Sequence, residues 1–203
     1  MADFGPHDSM YEVYKRRQCP PFLFTWAQSA PLELHAGTMY ELCLPRVHIP
    51  EVVEQLALQF CAGDANSVVV SISRGSHLFH HYKNGGIEDS NVNCANIKLF
   101  EVHSMLHLLS VIQLIHSTYN EKRMLVILHA LGPLMLSQQK PLIVSGMLEM
   151  LRDLATSRLA YVMWATTDSP ASSGIRENRR SELATYWRTK IAKRIELNPD
   201  EAI

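Results

Sequence analysis

Three segments limit what this chain can fold into. SVVVSIS (67–73), MLVILHA (124–130) and RLAYVMWATT (158–167) are close to continuous apolar runs, with little of the alternation a half-wet strand shows. A strand written this way buries both faces, which is the habit of a parallel sheet covered by helices on each side. The intervening sequence supplies those helices. In PRVHIPEVVEQLALQF (45–60), Pro50 sits at a helix start ahead of Val52, Val53, Leu56, Ala57 and Phe60 at helical spacing. HSMLHLLSVIQLIHSTY (103–119) reads as a long helix with Leu106, Leu109, Ile112 and Ile115 among its apolar positions, and residues 142–156 form an amphipathic one. IKLFEV (97–102) is a short strand, and KIAKRIEL (190–197) a half-exposed one. LELHAGTMYELCL (32–44) is one strand, or two short ones about Gly37. The pattern predicts an α/β fold: a mostly parallel central sheet flanked by helices, in one domain over residues 32–203. A chain of 203 residues that is 47% hydrophobic can fill that core.

Residues 1–31 differ in composition, carrying Tyr11, Tyr14, Pro20, Pro21, Phe22, Phe24, Trp26 and Pro31. Proline density excludes a regular helix from Cys19 onward. A linker facing water has no need of large aromatic residues, so the arm docks on something, either its own domain or a neighbouring subunit. Elsewhere, RGSHLFHHY (74–82) reads as a short helix closing in the turn Asn84-Gly85-Gly86, and a further helix is expected near 181–188.

Charge is unevenly spread. The net is −1, yet Gly174 to Arg194 holds seven basic residues against two acidic ones. A whole-surface polyanion binder is excluded, and a local basic patch is expected. Cys19, Cys43, Cys61 and Cys94 are widely spaced without a CxxC pair, which argues against a disulfide framework or a zinc ribbon and for an intracellular protein. No secretory signal and no membrane-spanning run is read, so a soluble chain is expected.

Catalytic chemistry is missing where an α/β sheet would carry it. The connection from the first core strand to its helix is Leu44-Pro45-Arg46-Val47-His48-Ile49-Pro50. A phosphate cradle there needs glycines, a lysine and a hydroxyl. This loop has none of them, and its two prolines lack N–H donors. MLVILHA ends in His129 where a metal-supporting acid would stand, and SVVVSIS ends in Ser73 and Arg74. No GxSxG motif is present. His77, His80, His81, His103 and His107 fall in two clusters, and His103 and His107 have the i,i+4 spacing of a zinc site. No third ligand is fixed by spacing, so surface or capping histidines are the plainer reading.

Taken in order, these elements resemble the RecA-fold strand-exchange family. LHAGTMYELCLPRVHIPEVVEQLALQF resembles its first strand, phosphate loop and helix with the glycine-lysine core lost. MLVILHA, the helix after it and LAYVMWATT resemble the second-metal-site strand, helix and next strand. YWRTKIAKRIEL, with Trp187 and Arg194 seven apart, resembles the strand after the second DNA-binding loop of eukaryotic recombinase paralogues. The likeness covers roughly residues 24–197 and rests on collinear order.

That resemblance implies a RecA-like core without a separate N-terminal helical domain, degenerate as an ATPase. Phe24-Thr25-Trp26-Ala27 matches the FxxA motif by which recombinase subunits dock, so Phe24, Trp26 and Ala27 are expected at a partner interface, with local packing of Phe24 as the rival reading. Arg46 and His129 are expected to complete a neighbour's nucleotide site. Arg176, Arg179 and Arg180, with Lys190 and Lys193, are expected to contact DNA phosphates without reading bases. A solvated loop is the alternative. The expected protein is a nuclear, non-catalytic subunit with no cofactor of its own. It would pair with an ATP-binding recombinase paralogue, which binds the ATP at the shared interface, and promote filament assembly or remodelling of the recombinase on single-stranded DNA in homologous recombination repair. Two rivals are an accessory subunit of a tRNA-modifying complex, also RecA-like, and a metal-dependent enzyme using the histidine clusters.

Overall fold

The computed structural model describes residues 19–26, 30–62, 66–74, 96–119, 122–131, 134, 141–166 and 193–197. Its centre is a six-stranded sheet of β3 (Met39–Cys43), β4 (Ser67–Ser73), β5 (Ile97–Glu101), β6 (Arg123–His129), β7 (Tyr161–Thr166) and β8 (Lys193–Glu196). Spatial order is β5-β4-β6-β7-β3-β8, and every pairing is parallel. β4 and β7 are the apolar runs that the sequence singles out, and β6 is the third, begun one residue early at Arg123 and ended at His129. The α/β fold expected from the pattern is the one adopted, in an arrangement consistent with a RecA-like core.

Among the described residues, three helices cover the sheet. α1 (Ile49–Ala62) lies on one face, where Val52, Val53, Leu56, Ala57 and Phe60 meet Val69, Leu125, Ile127 and Met163. α2 (Met105–Thr118) and α3 (Pro141–Arg158) share the other face, against Val68, Val70, Ile72, Val126 and Leu128. Alternate residues of β4 and β6 thus enter different cores, and this is why those strands are apolar at every position. α2 is capped by Ser104, whose hydroxyl accepts from the His107 N–H at 3.1 Å.

One boundary differs from the sequence pattern, and one open alternative is settled as two strands. RLAYVMWATT is not strand from its first residue. Arg158 closes α3, and Leu159 turns the chain with a left-handed φ of 52°. The Ala160 N–H then bonds back to the Ala155 carbonyl, so β7 begins only at Tyr161. LELHAGTMYELCL resolves into two strands, broken at Gly37 with φ 78°.

The first of those strands belongs to the arm. β2 (Leu32–Leu34) pairs antiparallel with β1 (Phe22–Phe24), so a division at residue 31 runs through a hairpin. The expected helix at 74–82 beyond Arg74, the one near 181–188, and any statement about a domain ahead of Cys19 lie outside the described residues.

Candidate functional site

In a parallel sheet all strand carboxyl ends meet at one rim, and ligands bind where neighbouring connections leave toward opposite faces. Here the chain leaves β3 toward α1 and leaves β6 toward α3, with β7 between them. The rim at β3 and β6 is therefore where a site would be built.

Two features occupy it. The first is the loop after β3. Pro45 is extended (φ −56°, ψ 142°), and Arg46–His48 form a single 3-10 turn. The His48 N–H donates to the Pro45 carbonyl at 3.0 Å, and the Ile49 N–H donates to the Arg46 carbonyl. Donors that would face an anion in a phosphate cradle are spent inside the turn. Arg46 is exposed, and Val47 beside it is 76% exposed, so the turn presents a basic and an apolar side chain together.

The second is His129, at 4% exposure. Alternation from Leu125 and Ile127 puts its ring on the α1 side, where Nε2 lies 3.1 Å from the Ser71 hydroxyl of the neighbouring strand. Burial holds the imidazole neutral by lowering its pKa to about 4. Ala130 follows with a left-handed φ of 56°, a conformation that costs a residue with a Cβ about 1 kcal/mol. The Ser71–His129 pair was legible only in part. A serine inside an otherwise apolar buried strand is the informative signal, and its partner stands on a strand far away in sequence.

The arm runs along α1, with Phe22 beside Tyr161 at the start of β7 and Trp26 beside His48 in the rim turn. Phe24 is 0% exposed, and Phe22 and Trp26 are also buried. Phe22 packs edge-on to Phe60 (5.1 Å) and Tyr161 (6.2 Å), and Trp26 edge-on to His48 (5.7 Å). Two polar clamps fix the backbone. The Gln59 side chain accepts from the Thr25 N–H at 3.0 Å and donates to its carbonyl at 2.7 Å. The Tyr161 hydroxyl donates to the Pro20 carbonyl at 2.7 Å and accepts from Arg123 at 3.3 Å, while that guanidinium also lies over the Phe60 ring. Desolvation accordingly raises the Tyr161 pKa.

The residues expected to carry function are thus scattered. Of those expected at an interface, Arg46 is on the surface, whereas Phe24, Trp26 and His129 lie inside the chain's own core and, so docked, offer no surface to a neighbour. Apolar burial wins for the arm, whose aromatic side chains join the cluster formed by α1 and β7 around Phe60 and Tyr161. Lys193 is exposed at the start of the edge strand β8. Ala27, Arg176, Arg179, Arg180 and Lys190 lie outside the described residues. His103 and His107 are exposed with ring centroids 6.2 Å apart, and among the described residues no group of three or more His, Cys, Asp or Glu could hold a metal. A Ser-His-Asp grouping does occur on the outer helices. However, His116 Nε2 faces both Asp153 and Ser157 at 3.2 Å, and a relay needs one partner on each ring nitrogen. No helix among the described residues is long and apolar enough to cross a membrane.

No protein-family model matches this chain, and no curated protein matches it either.

Proposed function

We propose that this chain is a non-catalytic, RecA-like recombinase-paralogue subunit that works in the nucleus by binding an ATP-binding paralogue. Together they help the recombinase assemble or remodel on single-stranded DNA. The observation that carries the reading is the loop after β3, which stands where the phosphate loop of a RecA-like core would be. Its N–H groups of His48 and Ile49 are committed internally, and Arg46 is turned outward. A loop of that kind is unsuited to cradling a phosphate of its own but suited to offering a guanidinium to a phosphate held by a neighbour. His129 is buried with its Nε2 against the Ser71 hydroxyl, so β6 ends on an engaged imidazole where such a core would carry a carboxylate. The neighbour supplies the nucleotide, and the basic stretch that includes Arg176, Arg179, Arg180, Lys190 and Lys193 supplies weak phosphate contact to DNA.

The test is co-purification with ATP-binding paralogues from the same cells, alongside ATP turnover by the chain alone. Stable capture of such a partner, reduced by Arg46→Asp, and no turnover by the isolated chain are the expected results. Hydrolysis that follows the pure chain through successive columns overturns the reading. So does preferential binding of tRNA over single-stranded DNA, which favours the tRNA-modification alternative.

A further inference from the structure

A side chain can be offered to a partner only if the turn that carries it is held at one angle, and the turn after β3 supplies little of that hold itself. Its two hydrogen bonds, from the His48 N–H to the Pro45 carbonyl and from the Ile49 N–H to the Arg46 carbonyl, close it without tying it to anything else. Leu44 and Ile49 are buried and fix its two ends, while Arg46 and Val47 between them are exposed. What remains free is the roll of the turn about the line joining those ends. Among the described residues, His48 alone of the turn's three side chains has a ring or ionic partner. Its ring lies 5.7 Å from that of Trp26 at 61°, and its Nδ1 is 3.8 Å from the Glu51 carboxylate.

Of these two partners Trp26 is the firm one. The Glu51 side chain is 57% exposed, and an ion pair so open to water holds little against screening and side-chain entropy. Trp26 is 4% exposed and follows Thr25, whose N–H and carbonyl are both bonded to the Gln59 side chain. Phe24, just before that clamp, is fully buried. An edge-on ring pair prefers a narrow range of angles, so a ring fixed on the arm orients the ring it meets.

We infer that Trp26 is a positioning residue: through His48 it sets the roll of the rim turn, and seating of the arm thereby decides how Arg46 and Val47 are offered to a partner. Trp26 is buried and reaches no partner itself, so it acts through the turn. Displacing the arm from α1 therefore loosens the rim as well. The consequence for binding rests on the proposed reach of Arg46 to a phosphate held by a neighbour; the hold on the turn does not.

NMR relaxation of the full chain reads that hold with no partner present. In the parent chain the Arg46 and Val47 amides should be ordered, with order parameters of about 0.85, and in Trp26→Leu they should fall below about 0.6. Those of Val70 and Ile127 in the central strands should stay where they are. Trp26→Phe keeps a ring against His48 and should match the parent, as should Glu51→Ala. If Trp26→Leu loosens the central strands too, His48→Ala decides, because it cuts the same contact from a residue 30% exposed and spares the core. Order at Arg46 and Val47 that survives loss of the contact with the strands intact overturns the inference. Capture of the ATP-binding partner then reads the consequence. Trp26→Leu should weaken it about threefold or more in the parent chain, and no further in a chain already carrying Arg46→Asp. Effects of the two substitutions that add in full overturn the route through Arg46. If Arg46→Asp alone leaves capture unchanged, the proposed role of Arg46 falls instead, and the order parameters decide the hold of Trp26 by themselves.

Discussion

The arm and the loop after β3 both lie against α1, and they are built on opposite plans. The arm spends its side chains inward: Phe22, Phe24 and Trp26 are buried, and its backbone is pinned by Gln59 and Tyr161. The loop spends its backbone inward, closing a turn on itself between two prolines, and leaves Arg46 and Val47 outside. An aromatic-rich segment that looks like a ligand for a neighbour is here part of the chain's own core. A segment that looks degraded is the one that presents chemistry. Burial of side chains fixes a fold, whereas committing backbone donors frees side chains for contact.

The largest break in this contrast comes from the arm. Phe24→Ala is expected to lower stability by about 3–5 kcal/mol, because a fully buried ring leaves a cavity under α1 that cannot collapse. Chemical denaturation of the purified variant measures it. A loss under about 1 kcal/mol would mean the arm is only loosely seated, and the interface reading of Phe24 would regain ground.

His129 gives the next effect, as a dependence on pH. Its pKa is about 4 when folded and 6.5 when unfolded, so the unfolded chain binds the extra proton first. Stability from this group is complete above pH 6.5, falls as pH drops toward 4, and is lost below it, by about 3 kcal/mol in all. Thermal melts across that window should lose their slope in His129→Gln, which cannot take up the proton. An unchanged slope would place the titration on other groups.

Gln59→Leu follows, at about 1–3 kcal/mol, since it strips both partners from the Thr25 backbone while keeping the volume. Hydrogen exchange at the Thr25 amide is the sharper readout and should accelerate well before global unfolding.

These magnitudes mark what could be read from sequence. The sheet was legible because β4, β6 and β7 are apolar on both faces and alternate with segments of helical spacing. α1 and α2 were legible from spacing, and α1 also from Pro50 at its start; the Ser104 cap of α2 was not read. The clamps were not. Gln59 looks like an ordinary polar helix residue, and its meaning comes from a backbone segment 34 residues earlier. Tyr161 and Pro20 are 141 residues apart. Leu159 hid the start of β7 because nothing in a leucine announces a left-handed turn. Long-range polar pairing carries no periodic signature, and those pairs pin the backbone of an arm whose aromatic side chains are buried.

The smallest expected change in stability is also the most telling for function. Arg46→Asp alters an exposed side chain on a turn whose hydrogen bonds are all backbone, so denaturation should move by no more than about 0.5 kcal/mol. If the guanidinium reaches a phosphate held by a neighbouring subunit, the same change removes a charge-assisted contact and sets like charges together, weakening association by tenfold or more. Arg46→Lys separates charge from geometry: lysine keeps the charge and loses the planar fork, so binding should fall between wild type and Arg46→Asp. Equal retention of partner by all three chains would leave the turn as mere structure. It would then share the arm's role in holding α1, and the contrast between them would dissolve.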